Sequence, residues 1–131
     1  MSGPLDALDE AERALARRAS APVKADAMRA VLTDERFSDP DWIFERKLDG
    51  IRCVAIRSGR RVRLLSRNDL SLHARYPELV TALEAEACER FAIDGEVVAF
   101  DGAQTSFARL AARGHHRVPV FLYVSWARRF V

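Results

Sequence analysis

Glu45-Arg46-Lys47-Leu48-Asp49-Gly50-Ile51-Arg52 holds the residue types best suited to chemistry, and Asp94-Gly95-Glu96 follows inside a later apolar run. A lysine two residues before an Asp-Gly corner can be held at a fixed point beside a phosphate. Arg52 then stands just past the corner, where the next apolar run begins. The same residues also suit a plain β-hairpin, because Asp-Gly is a strong two-residue turn signal and the flanking charges can simply face water. The second motif adds a difficulty for that plainer reading. Asp94 and Glu96 lie two apart and share a strand face with Val98 and Phe100, and carboxylates drawn into an apolar face need partners.

The elements that must position these residues follow from periodicity. Residues 5–18 are Ala-rich and charged, with Leu8, Ala11 and Leu15 on one face, which predicts a short helix broken by Ser20-Ala21-Pro22. Residues 23–40 give no clear pattern. After Pro40, Trp42-Ile43-Phe44 predicts the start of an apolar strand. On such a strand Glu45, Lys47 and Asp49 share one face, with the lysine between two carboxylates, while Phe44 and Leu48 share the other. Residues 51–56 predict a buried strand, Ser58-Gly59 a turn, and Val62 and Leu64 alternating with Arg61 and Arg63 a returning strand. Residues 76–90 predict a helix with Leu79, Val80, Leu83 and Ala87 on its apolar side. Residues 91–100 predict a strand and Asp101-Gly102 a turn. A helix starting at Gln104 or Thr105 then carries Phe107, Leu110 and Ala111, and residues 118–124 predict a last strand interrupted early by Pro119.

Composition bounds the class. The chain has 131 residues, enough for one domain with a real core. No run approaches the roughly 18 apolar residues of a membrane span. Met1-Ser2-Gly3-Pro4-Leu5-Asp6 has neither the basic nor the apolar segment of a secretory signal. Cys53 and Cys88 are too few for a disulfide framework and lack metal-ligand spacing, so both are expected as reduced core residues in a cytoplasmic protein.

The net charge of +2 conceals an asymmetry. Nine basic residues fall between Arg46 and Arg75 (Arg46, Lys47, Arg52, Arg57, Arg60, Arg61, Arg63, Arg67, Arg75) against two acids, Asp49 and Asp69. Asp6, Asp9, Glu10 and Glu12 make the start of the chain acidic instead. Such crowding suits a polyanion, either nucleotide phosphates or a nucleic-acid backbone. For Arg57, Arg60 and Arg61 a solvated strand face accounts for the pattern equally well.

Taken together, the run from Glu45 to Arg52, Ser66-Arg67-Asn68, Ile93-Asp94-Gly95-Glu96 and the approach Phe37-Ser38-Asp39-Pro40-Asp41-Trp42 resemble ATP-dependent DNA ligases in order and spacing. The likeness covers residues 20–124 and is greatest to the adenylation domain of bacterial enzymes, including those that serve end-joining. It implies an α+β fold: an antiparallel-sheet nucleotidyltransferase domain of the DNA ligase and mRNA-capping-enzyme kind, ATP-grasp-like and here incomplete. Residues 1–19 would then be a helical extension and residues 125–131 a divergent tail.

The resemblance also implies roles. Lys47 would attack the α-phosphate of ATP and hold AMP as a phosphoramidate, a form of nucleophilic catalysis that a protonated amine cannot perform. Glu45 would accept from the adenine amino group, Arg52 would meet the ribose and phosphate region, Arg67 the phosphates, and Glu96 the ribose hydroxyl or a Mg²⁺ ion. Asp49 and Asp94 are expected to shape their turns. The implied partners are nicked or broken DNA, with end-joining proteins of DNA repair. One departure stands out. Where the family continues into Phe-Asp, Val124 is followed by Ser125-Trp126-Ala127-Arg128-Arg129-Phe130, and the later Glu-Gly and Lys-x-Lys motifs do not appear. The expectation is therefore a truncated reading frame without full sealing activity. The alternatives are a non-catalytic nucleotide- or DNA-binding remnant and a relative of RNA ligases or capping enzymes.

Overall fold

The computed structural model describes residues 9–11, 20, 22–23, 27–114 and 118–130. Of the helix expected over residues 5–18, only Asp9, Glu10 and Ala11 are among the described residues, and of these Glu10 and Ala11 are helical. The rest is built on a four-stranded antiparallel sheet in the order β2-β1-β3-β6, from β1 (Ile51–Ser58), β2 (Arg61–Leu65), β3 (Arg90–Val98) and β6 (Phe121–Arg129). Between β2 and β3 lies helix α1 (Pro77–Glu84). Between β3 and β6 come the two-residue strands β4 (Phe100–Asp101) and β5 (Gln104–Thr105), then helix α2 (Phe107–Ala111).

Strand alternation sorts the sheet into two unlike faces. One face buries Cys53, Ala55, Val62, Leu64, Phe91 and Val97 against Tyr76, Leu79 and Leu83 around α1 and Leu110 of α2. This is the main core, and burial there pushes the Cys53 thiol up to about 12, so it stays protonated. The opposite face carries Arg52, Val54 and Ile56 of β1 opposite Glu96, Asp94 and Ala92 of β3, with Phe130 packed against the apolar part. Every charged group of the two central strands except Arg57 thus stands away from the helices.

Arg57 explains why α1 is shorter than its periodicity predicts. It is 6% exposed and donates to the carbonyls of Gly59, Leu83, Glu86 and Cys88. A buried guanidinium needs acceptors, and the unpaired carbonyls past the helix end supply them, so the chain leaves the helix at Ala85 and wraps around the cation. Arg57 therefore belongs to the core, and a polyanion has no access to it.

Three expectations are corrected. Residues 42–49 form no strand. β1 has β2 on one side and β3 on the other, which leaves its neighbouring segment no ladder to join. Trp42, Ile43 and Phe44 are exposed, and Phe37 packs at 5.0 Å from the Trp42 ring and 5.7 Å from that of Phe44. The second helix starts at Phe107, because Gln104 and Thr105 pair with Asp101 and Phe100 and Ser106 caps α2 by accepting from the Arg109 N–H at 3.3 Å. The last strand spans Phe121–Arg129, beginning after Pro119 and running past Val124.

That extension depends on a bulge. Asp94 pairs with Trp126 but Gly95 pairs with Val124, so Ser125 is the extra, unopposed residue of β6. Gly95 permits it: a Cβ at this position would collide with the Tyr123 carbonyl and sit 3.3 Å from the Val124 Cα. Gly50 is constrained in the same way, since a Cβ would strike the Val97 carbonyl and lie 2.8 Å from a Val98 methyl. Asp49-Gly50 and Asp94-Gly95 therefore mark close backbone approaches, and neither is the hairpin turn that Asp-Gly suggests; Asp101-Gly102, between β4 and β5, is at one.

Candidate functional site

The segment carrying Lys47 gains its position from long-range anchors in place of a ladder. Asp49 donates its N–H to the Thr105 hydroxyl at 3.0 Å, and its carboxylate accepts from the Phe107 N–H, the first of α2, at 2.8 Å. Arg46 donates to the Ala103 carbonyl at 3.4 Å. A carboxylate at a helix N-terminus takes up an N–H that has no partner within the helix and meets the positive end of its dipole. Lys47 lies between these two ties.

It opens onto a cleft of about 560 Å³ at the edge of the charged sheet face. Glu45, Arg46, Lys47 and Leu48 form one wall, and Glu96, Tyr123 and Ser125 the other. Glu96 and Tyr123 are opposite one another on β3 and β6, and the bulge brings Ser125 alongside. This volume is in the range of small-molecule pockets. Asp49 does not complete a lysine between two carboxylates on one strand face, because its carboxylate is turned to α2.

The two acids of Asp94-Gly95-Glu96 have separate environments. Asp94 is paired with Arg52, whose Nε and Nη2 reach the two carboxylate oxygens at 3.0 and 2.5 Å, and Arg52 also donates to the Met28 carbonyl. Donating these hydrogen bonds to Asp94 raises the arginine's already high pKa. Glu96 has no such pair. Burial pushes its carboxyl above the ordinary value, the Gly50 N–H pulls it back, the Asp49 charge raises it further and Arg52 lowers it. Glu96 is thus the group on this face whose ionised form is held least comfortably.

The sequence-predicted residues separate accordingly. Glu45, Lys47 and Glu96 are brought together around the cleft. Arg52 shares the sheet face with Glu96 but is occupied by Asp94 and Met28. Arg67 is exposed in the turn after β2, where the Ser66 hydroxyl accepts from the N–H groups of Asn68 and Leu70 at 3.3 and 3.2 Å. It does not line the cleft. Tyr123, Ser125 and Thr105 were not singled out from the sequence. Tyr123 alternates with Phe121 on the cleft side of β6, a period that was legible, whereas the Ser125 bulge and the Thr105 tie exist only once strands are paired.

The donor set bears on a metal. Among the described residues no three His, Cys, Asp or Glu side chains gather to hold an ion. Asp94 and Asp49 are engaged, which leaves Glu45 and Glu96 as the carboxylates of the cleft. One or two carboxylates are what Mg²⁺ typically uses when most of its other ligands are substrate phosphates and water. The site therefore fits magnesium arriving as part of a metal–nucleotide substrate.

An antiparallel-sheet domain with a lysine and a glutamate on one cleft has the donor set that a phosphate-bearing ligand would need, and comparison narrows its class. A family model described as the ATP dependent DNA ligase domain matches residues 22–120, and the chain belongs to that family. It is 40% identical over 76 residues to DNA ligase C of Mycobacterium tuberculosis, an alignment covering 58% of this chain and 21% of that protein. It is 36% identical over 74 residues to the multifunctional non-homologous end joining protein LigD of Mycobacterium bovis, covering 56% of this chain and 10% of that one. Among solved structures it resembles mycobacterial DNA ligase D complexed with ATP and MES, with a TM-score of 0.55 and 28% identity over 65% of this chain and 30% of that one. The ligase domain of M. tuberculosis LigD gives a TM-score of 0.52 at 30% identity. The chain spans about a fifth of the length of the DNA ligase C it matches.

Proposed function

We propose that this chain adenylates itself at Lys47 with ATP, the opening reaction of ATP-dependent DNA strand joining. The observation that carries the proposal is the cleft in which Lys47 and Glu45 face Glu96 across the charged side of the sheet. Family membership supports the reaction class, and a solved neighbour is a ligase complexed with ATP.

In this reading the deprotonated Lys47 amine attacks the α-phosphorus. A P–N bond forms, the bond between the α-phosphorus and the bridging oxygen breaks, pyrophosphate leaves, and the nitrogen gives up its extra proton to solvent. The chain's own contribution is placement: Asp49 and Arg46 hold the lysine segment against the β4–β5 hairpin and α2, so the nucleophile meets the phosphate at a defined point. Glu45 receives the adenine amino group, which favours ATP over GTP. Glu96 accepts from the ribose hydroxyl or meets the magnesium carried by the phosphates. Arg67, on its exposed turn, serves the outer phosphates as they leave. Arg52 acts from behind Glu96, lending positive charge to the sheet face while it remains paired with Asp94.

The nucleic-acid substrate in this reading is DNA with a nick or break, and LigD-like end joining is the repair setting. Incubation with magnesium and ATP labelled in the α-phosphate tests the first step. The expected result is a label that survives a denaturing gel, is competed by ATP but not GTP, and disappears in Lys47→Ala.

A further inference from the structure

On the helix side of the sheet, away from the cleft, a second cavity of about 480 Å³ opens between the turn that leads into α1 and the residues that follow α2. Its walls include Ala74, Arg75, Pro77, Leu110, Arg113 and Gly114. Two guanidinium groups approach the same buried ring: the Arg75 group lies 5.7 Å and the Arg113 group 5.2 Å from the centroid of Tyr76. Leu110, fully buried, is part of its floor, and Tyr76 is fully buried beneath the two guanidiniums.

The charges at this site are unbalanced. Arg113 gives its Nη2 to Glu78, and this hydrogen bond holds the Glu78 carboxyl below its ordinary value, so the pair stays ionised. The Nη1 of Arg113 is buried without any acceptor. Arg75 is exposed and forms no ion pair among the described residues. Two cations therefore face one carboxylate, and a charged donor is left buried and unpaired; an incoming anion would satisfy it once the Arg113 guanidinium turns toward the cavity. The planar donor fork of arginine matches a phosphoryl group, whose several oxygens can bridge two guanidiniums. The cavity is larger than one phosphate, and its remaining walls (Ala74, Pro77, Leu110, Ala111 and Gly114) carry no charge that would oppose an anion.

We propose that Arg75 and Arg113 form a binding site for a backbone phosphate of bound DNA, separate from the nucleotide cleft. The proposal rests on the DNA-joining reading above for its choice of phosphodiester. The site adds positional grip and carries no sequence preference, since contacts to phosphate do not read bases.

Affinity of the full chain for a labelled duplex, measured by fluorescence anisotropy over a range of KCl concentrations, tests it. Arg75→Gln is expected to weaken binding several-fold and to reduce the slope of log affinity against log salt by about one, as loss of one phosphate contact requires. Glu78→Gln, which removes the competing carboxylate, is expected to tighten binding. Self-adenylation should be the same in Arg75→Gln as in the parent. In NMR spectra at matched ionic strength, the Arg113 side-chain N–H signals are expected to move with duplex and not with an equal concentration of inorganic phosphate. Unchanged affinity and slope in Arg75→Gln, with the parent binding DNA normally, would overturn this site and leave the proposed function standing. A response to inorganic phosphate alone would overturn the DNA assignment. A parent that adenylates itself yet binds no duplex at low salt would overturn the site together with the DNA substrate.

Discussion

Asp49 and Phe107, 58 residues apart, are joined by a 2.8 Å hydrogen bond from the Phe107 N–H to the Asp49 carboxylate. This contact, with the 3.0 Å bond from the Asp49 N–H to Thr105, fastens the lysine segment to the start of α2. The aspartate of the Lys-x-Asp-Gly motif thus acts as an anchor for the lysine two residues before it.

Replacing it separates anchoring from folding. Asp49→Ala should lower the unfolding free energy by about 1 kcal/mol, the usual cost of losing a helix cap. Self-adenylation should fall further than that loss explains, because the lysine is no longer held. Asp49→Asn keeps an acceptor and should retain most of both. Urea unfolding alongside label incorporation checks this, and an alanine variant with unimpaired labelling would contradict it.

Arg52 and Asp94 form a two-point pair across β1 and β3. Asp94→Asn and Arg52→Lys should each destabilise the fold by about 1–3 kcal/mol, since each leaves a half-buried charged partner poorly matched. A double-mutant cycle should give a coupling energy clearly above zero. Additive losses would mean that the two side chains do not depend on each other.

Glu96 sets a pH dependence opposite in sign to that of Glu78. Its folded-state pKa is raised above the ordinary 4.5, so the folded protein binds the proton more tightly than the unfolded chain. The penalty for its ionised form is complete above the folded value and is relieved as pH falls toward the unfolded value. Glu78, lowered by Arg113, stabilises the fold above 4.5 and loses that contribution as pH drops through its folded value. Glu96→Gln should therefore be more stable than the parent near neutral pH, with the gain shrinking in acid. Unfolding curves at neutral and at acid pH check it, and a variant less stable than the parent at neutral pH would contradict it.

Gly95→Ala should destabilise the sheet by about 1–3 kcal/mol or more, because overpacking against backbone leaves little room to relax. The added methyl would meet the Tyr123 carbonyl, so loss of hydrogen-exchange protection should concentrate in β6. Protection lost evenly over the chain would contradict this.

Much of this molecule is legible in its sequence because its signals are local. Alternation of Val62 and Leu64 with Arg61 and Arg63 marks β2, and the period of Leu79 and Leu83 marks α1. The ligase-like motifs identified the family that comparison then showed. The misreadings share one cause: strands and helices end where long-range partners decide. Trp42-Ile43-Phe44 has strand-forming side chains, but both edges of the adjacent β1 are taken. Arg57 looks like a solvated cation until the carbonyls of Leu83, Glu86 and Cys88 close on it. The pairing of Arg52 with Asp94 spans 42 residues, beyond any local pattern.

The most direct test of the central claim is peptide mapping by mass spectrometry after incubation with ATP and magnesium. The expected result is a single adduct of one AMP on the peptide containing Lys47, acid-labile as a phosphoramidate is, and missing from Lys47→Ala. An adduct on another residue, or one that persists in Lys47→Ala, would contradict the assignment of Lys47 as the nucleophile.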